Sequence, residues 1–168
     1  NLKRDGQYES LLAHDFLRCV EQVEDVLFYQ EQPLAISYSV GVLEHAYYPD
    51  LLLILSDGRA VVVEIKPVFH MALERNLIKW GALRKFCAEA GLGLLVTDGR
   101  RSIQQVQRHK AKPEFESTVL SALQGGPLCW PEYLAIKNRF EPRRDDFVAL
   151  ILRHRLKWQL SPFALRLP

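Results

Sequence analysis

Asp50, Glu64 and Lys66 are residues of the types that can hydrolyse a phosphodiester bond. Carboxylates are hard oxygen ligands for Mg²⁺ or Mn²⁺, and such a cation neutralises charge on a phosphate and activates a water molecule. The backbone carbonyl of Ile65, between Glu64 and Lys66, offers a further oxygen ligand. Lys66 has the charge to orient the attacking water and to stabilise negative charge in the transition state. We therefore predict a metal site formed by Asp50, Glu64 and the Ile65 carbonyl, with Lys66 as its catalytic partner.

The element that must position these residues is a predicted β-hairpin. Apolar runs at residues 51–55 and 60–63 flank a Ser-Asp-Gly turn at residues 56–58. A tight two-residue turn would point Asp50 and Glu64 to opposite faces. A three-residue loop with its glycine in the left-handed conformation places them directly opposite each other, with Cβ atoms about 4.5–5.5 Å apart. We predict the three-residue loop, because it lets both carboxylates share one cation.

A predicted amphipathic helix at residues 8–20 adds a third carboxylate. Glu9, Ala13, Phe16 and Val20 form one stripe along this helix. A carboxylate at the head of an apolar stripe points toward whatever the helix packs on, so Glu9 is a further candidate ligand. The alternative, of equal weight, is that Glu9 complements the positive charge at the helix N-terminus.

The remaining elements of this part of the chain follow from apolar patterning. A strand is predicted at residues 34–42, before the hairpin, and a long helix at residues 71–90 follows the hairpin and ends at Gly91. A short buried strand at residues 93–97 comes next. Both faces of the hairpin are apolar, so the sheet is expected to be covered on both sides. The predicted order is helix, three strands, helix, strand.

These residues together resemble the PD-(D/E)XK nuclease superfamily. Pro49-Asp50, thirteen intervening residues and Glu64-Ile65-Lys66 match its motif, with Glu9 on an upstream helix. The element order is similar to the superfamily's core, an αβββαβ fold of the α/β class with a mixed sheet flanked by helices. The resemblance implies Asp50 and Glu64 as metal ligands and Lys66 as catalytic base or electrostatic stabiliser. It also implies Glu9 as the helix carboxylate, and Mg²⁺ as cofactor with Mn²⁺ able to substitute. Taken alone, Glu64 and Lys66 are more typical of a surface ion pair.

Finer features resemble the TnsA-type endonuclease subunit of heteromeric transposases. They are Gln32-Pro33 at the start of the first predicted strand, Val96-Thr97-Asp98 after the fourth, and a short basic tail. This resemblance implies cutting of DNA at transposon ends, beside a separate DDE-type transposase and other transposition proteins. Two alternatives stay open: a restriction, repair or junction-resolving nuclease of the same superfamily, or a non-catalytic DNA-binding or assembly module on a nuclease scaffold. A homodimer also stays open.

The charge distribution divides the chain. Residues 1–98 carry 9 Lys/Arg and 14 Asp/Glu, a net charge of −5, whereas residues 99–168 carry 13 and 6, a net charge of +7. We predict a nuclease core at residues 1–112 and a short basic C-terminal region at residues 113–168. Its three short predicted helices and final hairpin are typical of a winged-helix module. A basic part behind an acidic, catalytic part favours a polyanionic partner.

Basic side chains outside the motif are candidates for phosphate contacts with DNA. The predicted DNA-binding residues are Arg75, Lys79, Arg100, Arg101, Arg108, Lys110, Arg143 and Arg144, with Lys112, Arg153 and Arg155 as further candidates. For Arg75 and Lys79, a solvated helix face is an equally good interpretation.

Other signals exclude whole classes of function. The three cysteines lie far apart with no CxxC motif, which is typical of reduced residues in a cytoplasmic protein. A nucleoid-associated location is expected while the protein acts on DNA. No apolar run reaches 18 residues, so no membrane partner is expected. Neither a phosphate-binding GKS/T loop nor a GxGxxG motif is present, which disfavours nucleotide hydrolysis and dinucleotide binding.

Overall fold

The computed structural model describes the backbone of residues 2–168 and the side chains from Leu11 onward. Residues 1–67 and 78–102 form one compact unit, here called the sheet unit. Residues 68–77 and 103–168 form a second, the helical unit. These units are groups of mutually contacting residues, and the domain boundary predicted after residue 112 stays a prediction.

Helices and strands alternate irregularly along the chain. In chain order they are α1 (Leu2–Val20), β1 (Val26–Glu31), β2 (Ile36–Val40), β3 (Leu43–Tyr47), β4 (Leu51–Leu55), β5 (Ala60–Ile65), a 3-10 helix (Val68–Ala72), α2 (Glu74–Glu89), β6 (Gly93–Thr97), α3 (Ile103–Gln107), α4 (Pro113–Leu123), β7 (Leu128–Cys129), α5 (Trp130–Phe140), α6 (Arg144–His154), β8 (Lys157–Leu160) and β9 (Phe163–Arg166).

A four-stranded mixed sheet forms the centre of the sheet unit. Its strand order is β1-β4-β5-β6. The first two pairs are antiparallel, whereas β5 and β6 are parallel, because α2 provides the crossover that parallel neighbours require. Within this sheet the order is helix, three strands, helix, strand, and the predicted αβββαβ core is confirmed.

The register of the central hairpin is the predicted one. Leu51 pairs with Val63 and Ile54 with Ala60, which leaves a three-residue loop at residues 56–58. The Leu55 amide donates to the Arg59 carbonyl at 2.8 Å, and Gly58 has a φ of +82°, in the left-handed region that the loop requires. By the same register, Asp50 lies opposite Glu64.

Helix α1 packs its apolar stripe on the sheet, as predicted. Val20 is buried with Leu51, Leu53, Val63 and Ile65, and Ala13 and Phe16 pack against this cluster. The helix begins at Leu2 rather than at residue 8. Residues 2–7 contain no proline, and the one glycine among them costs a helix only about 1 kcal/mol.

The strand predicted at residues 34–42 is wrong in position. The first strand of the main sheet is β1, and the segment that follows forms a separate two-stranded sheet, β2-β3. Gly41 has a φ of +61°, so the chain turns back there instead of continuing as one strand. Gln32-Pro33 therefore follows the first strand and does not start it. The Gln32 amide donates to the Asp50 carbonyl at 3.0 Å.

The helix predicted at residues 71–90 begins as the 3-10 helix and continues as α2. The Asn76 side-chain amide donates to the His70 carbonyl at 2.8 Å across the junction. Gly91 has a φ of +67°, and the Leu92 amide donates to the Cys87 carbonyl at 2.8 Å. This is a left-handed helix end of the kind that favours glycine, as predicted.

The helical unit contains the predicted three helices and final hairpin. Together with β7, the hairpin forms an antiparallel sheet of order β7-β9-β8. The element order from α4 to β9 is the one that predicted a winged-helix module. However, α6 is buried from Asp146 to Leu152, because the 3-10 helix and α3 pack against it. A helix covered in this way has no long face free to lie in a DNA groove.

Among the helices of the described residues, none is long and apolar enough to cross a membrane.

Candidate active site

Asp50 lies just before β4, at the edge of the main sheet where β5 ends. Its Oδ2 accepts a hydrogen bond from the Ile65 backbone amide at 2.7 Å. Its own carbonyl accepts the Gln32 amide. Both contacts fix the residue from neighbouring strands, so the carboxylate is held against the end of β5 rather than free in solvent.

Glu64 is the most deeply placed ionisable residue of this edge. It pairs with Val96 in the parallel part of the sheet, and only 1% of its surface is exposed. Among the described groups, its Oε2 atom has no hydrogen-bond partner. Leaving a buried carboxylate oxygen unpaired is costly, so this atom is a position where a ligand would be stabilising.

The Lys66 side chain lies within ion-pair distance of both carboxylates. Its Nζ lies 3.7 Å from Asp50 Oδ2 and 3.5 Å from Glu64 Oε1. Its backbone amide donates to the Thr97 carbonyl on β6 at 2.9 Å, which anchors the residue beyond the end of β5. The three residues singled out by their spacing are therefore brought to one point.

The electrostatics of the site are dominated by burial. Removal of Glu64 from water raises its pKa to about 7, and the neighbouring Asp50 charge contributes in the same direction, while Lys66 opposes both effects. Two carboxylates that share one lysine thus carry more negative charge than the site neutralises. A divalent cation would supply the missing positive charge.

Tyr47 is a residue of this site that the sequence reasoning missed. Its hydroxyl is buried and has no hydrogen-bond partner among the described residues. Burial, and then the neighbouring Glu64 charge, raise the pKa of this hydroxyl well above its usual range. The Lys79 Nζ lies 5.4 Å from the centroid of the Tyr47 ring, in a cation–π contact. No local pattern in the sequence identifies this residue.

The donor set fits a hard divalent cation only in part. Asp50 and Glu64 supply carboxylate oxygens, and the unpaired Oε2 of Glu64 is available to a ligand. Within the part of the chain whose side chains are described, no group of three His, Cys, Asp or Glu residues that could hold a metal ion is found. The predicted third carboxylate, Glu9, has a side chain outside the described residues.

Comparison with protein families identifies the segment that carries this site. Residues 23–98 match the family described as TnsA-like endonuclease N terminal. None of the curated proteins compared with the chain matches it. The family match supports a nuclease function in transposition.

The matched segment contains the whole main sheet. It includes Tyr47, Asp50, Glu64 and Lys66 and ends at Asp98, just after β6. Glu9 and most of the helical unit lie outside it. The match therefore covers the candidate site but not the basic C-terminal region.

The predicted DNA-binding residues of the sheet unit lie at different kinds of position. Lys79 contacts the Tyr47 ring, next to the candidate site. Arg100 is exposed in the turn that follows β6. Arg101 instead makes an ion pair with Asp98 at 3.0 Å, and Asp98 also accepts both arginine backbone amides. The turn is therefore rigid, with Arg100 as its outward-facing cation.

Most of the candidate basic residues of the helical unit are exposed. Exposed side chains are Arg75, Arg108, Lys110, Lys112, Arg143, Arg144 and Arg155. Lys112 nevertheless donates to the Phe140 carbonyl at 2.8 Å at the end of α5, and the half-buried Arg153 binds Glu116 at 2.5 Å. These last two have intramolecular partners, which their charge alone did not reveal.

Proposed function

We propose that the chain is a divalent-cation-dependent DNA endonuclease that cuts transposon ends as a TnsA-like transposase subunit. The observation that carries this proposal is the arrangement of buried Glu64, Asp50 and Lys66 at one sheet edge. The family match of the surrounding segment supports the same conclusion. The proposed partners are DNA and a DDE-type transposase, with Mg²⁺ as cofactor and Mn²⁺ as its substitute.

The proposed ligands of the cation are Asp50, Glu64, the Ile65 carbonyl and Glu9. A cation at this position supplies charge neutralisation at the phosphate and lowers the pKa of a water molecule. The protein contributes rigidity, because the Ile65 amide holds Asp50 and the sheet holds Glu64. A fixed pair of carboxylates needs little reorganisation on binding, which favours a cation of strict geometry such as Mg²⁺.

Lys66 is proposed to stabilise negative charge on the phosphate. Its Nζ lies near both carboxylates, and its side chain is 21% exposed. The lysine is therefore in contact with both the buried site and the solvent. A positive group fixed where charge develops lowers the barrier without reorganising during the reaction. We therefore expect Lys66 to contribute to the rate of cleavage rather than to substrate binding.

The phosphates of the bound DNA are proposed to contact basic side chains of the chain. Lys79 and Arg100 are the candidates on the sheet unit. On the helical unit the candidates are Arg75, Arg108, Lys110, Arg143 and Arg144. The helical unit has 12 Lys/Arg and 7 Asp/Glu, a net charge of +5. Because α6 is buried, these contacts are proposed to be with the backbone of DNA rather than with its bases.

The test is cleavage by the chain reconstituted with the DDE-type transposase proposed as its partner. A supercoiled plasmid that carries the transposon ends is incubated with Mg²⁺, and nicked and linear products are quantified. Glu64→Ala and Asp50→Ala should abolish cleavage at the ends. The matched control is Glu31→Ala, an exposed carboxylate on β1 that pairs with Leu51 near the same edge. Cleavage by Glu64→Ala at the wild-type rate would defeat the proposal.

A further inference from the structure

The small sheet β2-β3, here called the ribbon, grows from the edge of the main sheet that carries the candidate site. Strand β1 ends at Glu31 and β4 begins at Leu51, and these two residues pair. The ribbon is inserted between them, so it leaves from and returns to this edge. Its last residue, Tyr47, is the one whose hydroxyl lies beside Glu64. Any DNA cut at Glu64 must therefore lie next to the ribbon.

The ribbon has one apolar face. Cross-strand pairs place Ile36 with Tyr47, Tyr38 with His45, and Val40 with Leu43 on that face. The first pair is buried and anchors the ribbon, and the Tyr38 and His45 rings are stacked at 5.3 Å.

The outer end of this face is open to solvent. Leu43 is 62% exposed, and Val42 at the turn is 98% exposed. An isolated two-stranded ribbon gains little stability from exposed apolar side chains, so their placement points to a contact with another molecule.

The ribbon carries no Lys or Arg that could form ion pairs with phosphates. Residues 34–48 contain no Lys or Arg, and Glu44 is their only carboxylate. Glu44 pairs with Ser39 on the opposite, polar face. A ribbon without Lys or Arg that lies beside bound DNA offers apolar side chains to the bases in a groove rather than ion pairs to the charged backbone.

We propose that the ribbon enters the major groove of the DNA and that Val40, Val42 and Leu43 contact thymine methyl groups there. The inference rests on the proposed nuclease function. The major groove is about 12 Å wide and admits a two-stranded ribbon, whereas the minor groove is about 6 Å wide. The methyl group of thymine is the apolar group on the floor of the major groove. From Tyr47 to Leu43 the strand spans about 14 Å, enough to reach beyond the site into an adjacent groove.

The test compares two 30-bp duplexes of the same sequence, one with thymine and one with uracil at every thymine position. They have the same charge and differ by the methyl groups. Binding to the full chain is measured by fluorescence anisotropy in Ca²⁺ over a series of salt concentrations. The wild type should bind the thymine duplex about fivefold more tightly. Combined Val42→Ser and Leu43→Ser substitutions should remove this preference and leave the slope of log affinity against log salt unchanged.

The matched control is Leu27→Ser, which removes a similarly exposed leucine, 67% exposed, from β1. It should keep the thymine preference. A double variant that keeps the preference, or a wild type without one, overturns the ribbon contact. So does a changed salt slope, which would indicate contact with phosphates. If the double variant binds both duplexes normally but no longer binds the partner transposase, the apolar face is a protein interface instead.

The two proposals fail in different ways. Equal behaviour of wild type and double variant on both duplexes overturns the ribbon contact alone. A wild type that binds neither duplex at any salt concentration would count against the nuclease proposal itself, and the ribbon contact would fall with it.

Discussion

Two buried carboxylates, one in each unit, differ in the number of hydrogen-bond partners that the protein gives them. Asp146 at the start of α6 is 3% exposed and Glu64 is 1% exposed. Asp146 uses both oxygens, since Oδ1 lies 2.8 Å from His109 Nε2 and Oδ2 accepts the Arg143 amide at 2.8 Å. Glu64 has Lys66 beside one oxygen and, among the described residues, no partner for the other. A buried carboxylate with hydrogen-bond partners for both oxygens is typical of a structural role. A buried carboxylate with an unpaired oxygen is typical of a ligand-binding site.

The largest effect that this comparison predicts is on metal binding. Asp50→Ala and Glu64→Ala should abolish the binding of Mn²⁺ in a calorimetric titration, because each removes one of two opposed oxygen ligands. Asp146→Ala should leave Mn²⁺ binding unchanged. It should instead lower the free energy of unfolding by roughly 2–3 kcal/mol, through loss of a helix cap and of a buried polar contact. In metal-free buffer, Glu64→Ala is not expected to lower the free energy of unfolding.

The reverse pattern would break the comparison. If Asp50→Ala bound Mn²⁺ as tightly as the wild type, the pair would not be a cation site. If Asp146→Ala lost Mn²⁺ binding while remaining folded, the hydrogen-bond partners of a buried carboxylate would not tell whether it is structural or binds a cation. Far-UV circular dichroism of every variant establishes that it is folded before titration.

The second effect concerns Lys66, which neighbours the unsatisfied carboxylate. Lys66→Ala should reduce the cleavage rate of the reconstituted complex by about 10²–10³. Binding of Mn²⁺ and of duplex DNA should stay near the wild-type level, because the lysine acts on charge that develops in the transition state. The matched control is Lys85→Ala, on the exposed face of α2, where the lysine pairs with Glu89 at 3.9 Å.

Wild-type cleavage by Lys66→Ala, in the same preparation in which Glu64→Ala is inactive, would make Lys66 an ion-pair partner only. Lys79, which contacts the Tyr47 ring, would be the next residue to test.

The sequence was sufficient to predict where the candidate residues lie wherever local chemistry decides the structure. A left-handed Gly58 fixes the loop, the loop fixes the register, and the register places Asp50 opposite Glu64. What failed depended on tertiary contacts or on an unrecognised turn. The ribbon was missed because Gly41 breaks an apparently continuous strand.

Side-chain partners were the other feature that the sequence did not reveal. Tyr47 was missed because nothing local shows that its hydroxyl packs beside a residue seventeen positions later. The pairing of Arg153 with Glu116 was equally hidden. A charge pattern predicts where a cation lies on an element but not whether a distant carboxylate has already bound it.

The third effect is on the pH dependence of stability. The pKa of Glu64 is raised to about 7 in the folded protein, mainly by burial. Between about pH 4.5 and pH 7, the folded state therefore holds a proton that the unfolded state has lost. The free energy of unfolding should fall as the pH rises through this window, by about 3 kcal/mol, and level off above it. Chemical denaturation in metal-free buffer measures this dependence.

Glu64→Gln is the matched variant, since it keeps the shape and removes the titration. The difference between the two proteins isolates the contribution of Glu64 from that of the other ionisable groups. Added Mn²⁺ should restore stability to the wild type above pH 7 and not to the variant, because the cation binds the ionised carboxylate. Parallel pH profiles of wild type and variant would mean that Glu64 titrates at its usual pKa.

The smallest effect belongs to Tyr47, whose buried hydroxyl, like the Oε2 atom of Glu64, has no hydrogen-bond partner among the described residues. We expect this hydroxyl to donate to Glu64 once the carboxylate is ionised and thereby to fix its orientation toward a cation. Tyr47→Phe should weaken Mn²⁺ binding about tenfold, the lower end of the range for residues that orient metal ligands. The melting temperature should stay unchanged, because the ring and its contact with Lys79 remain. Tyr48→Phe is the control, since the neighbouring tyrosine is 55% exposed. Equal Mn²⁺ affinities for the two variants would make the Tyr47 hydroxyl a passive part of the core, and Glu64 would then be oriented by its strand alone.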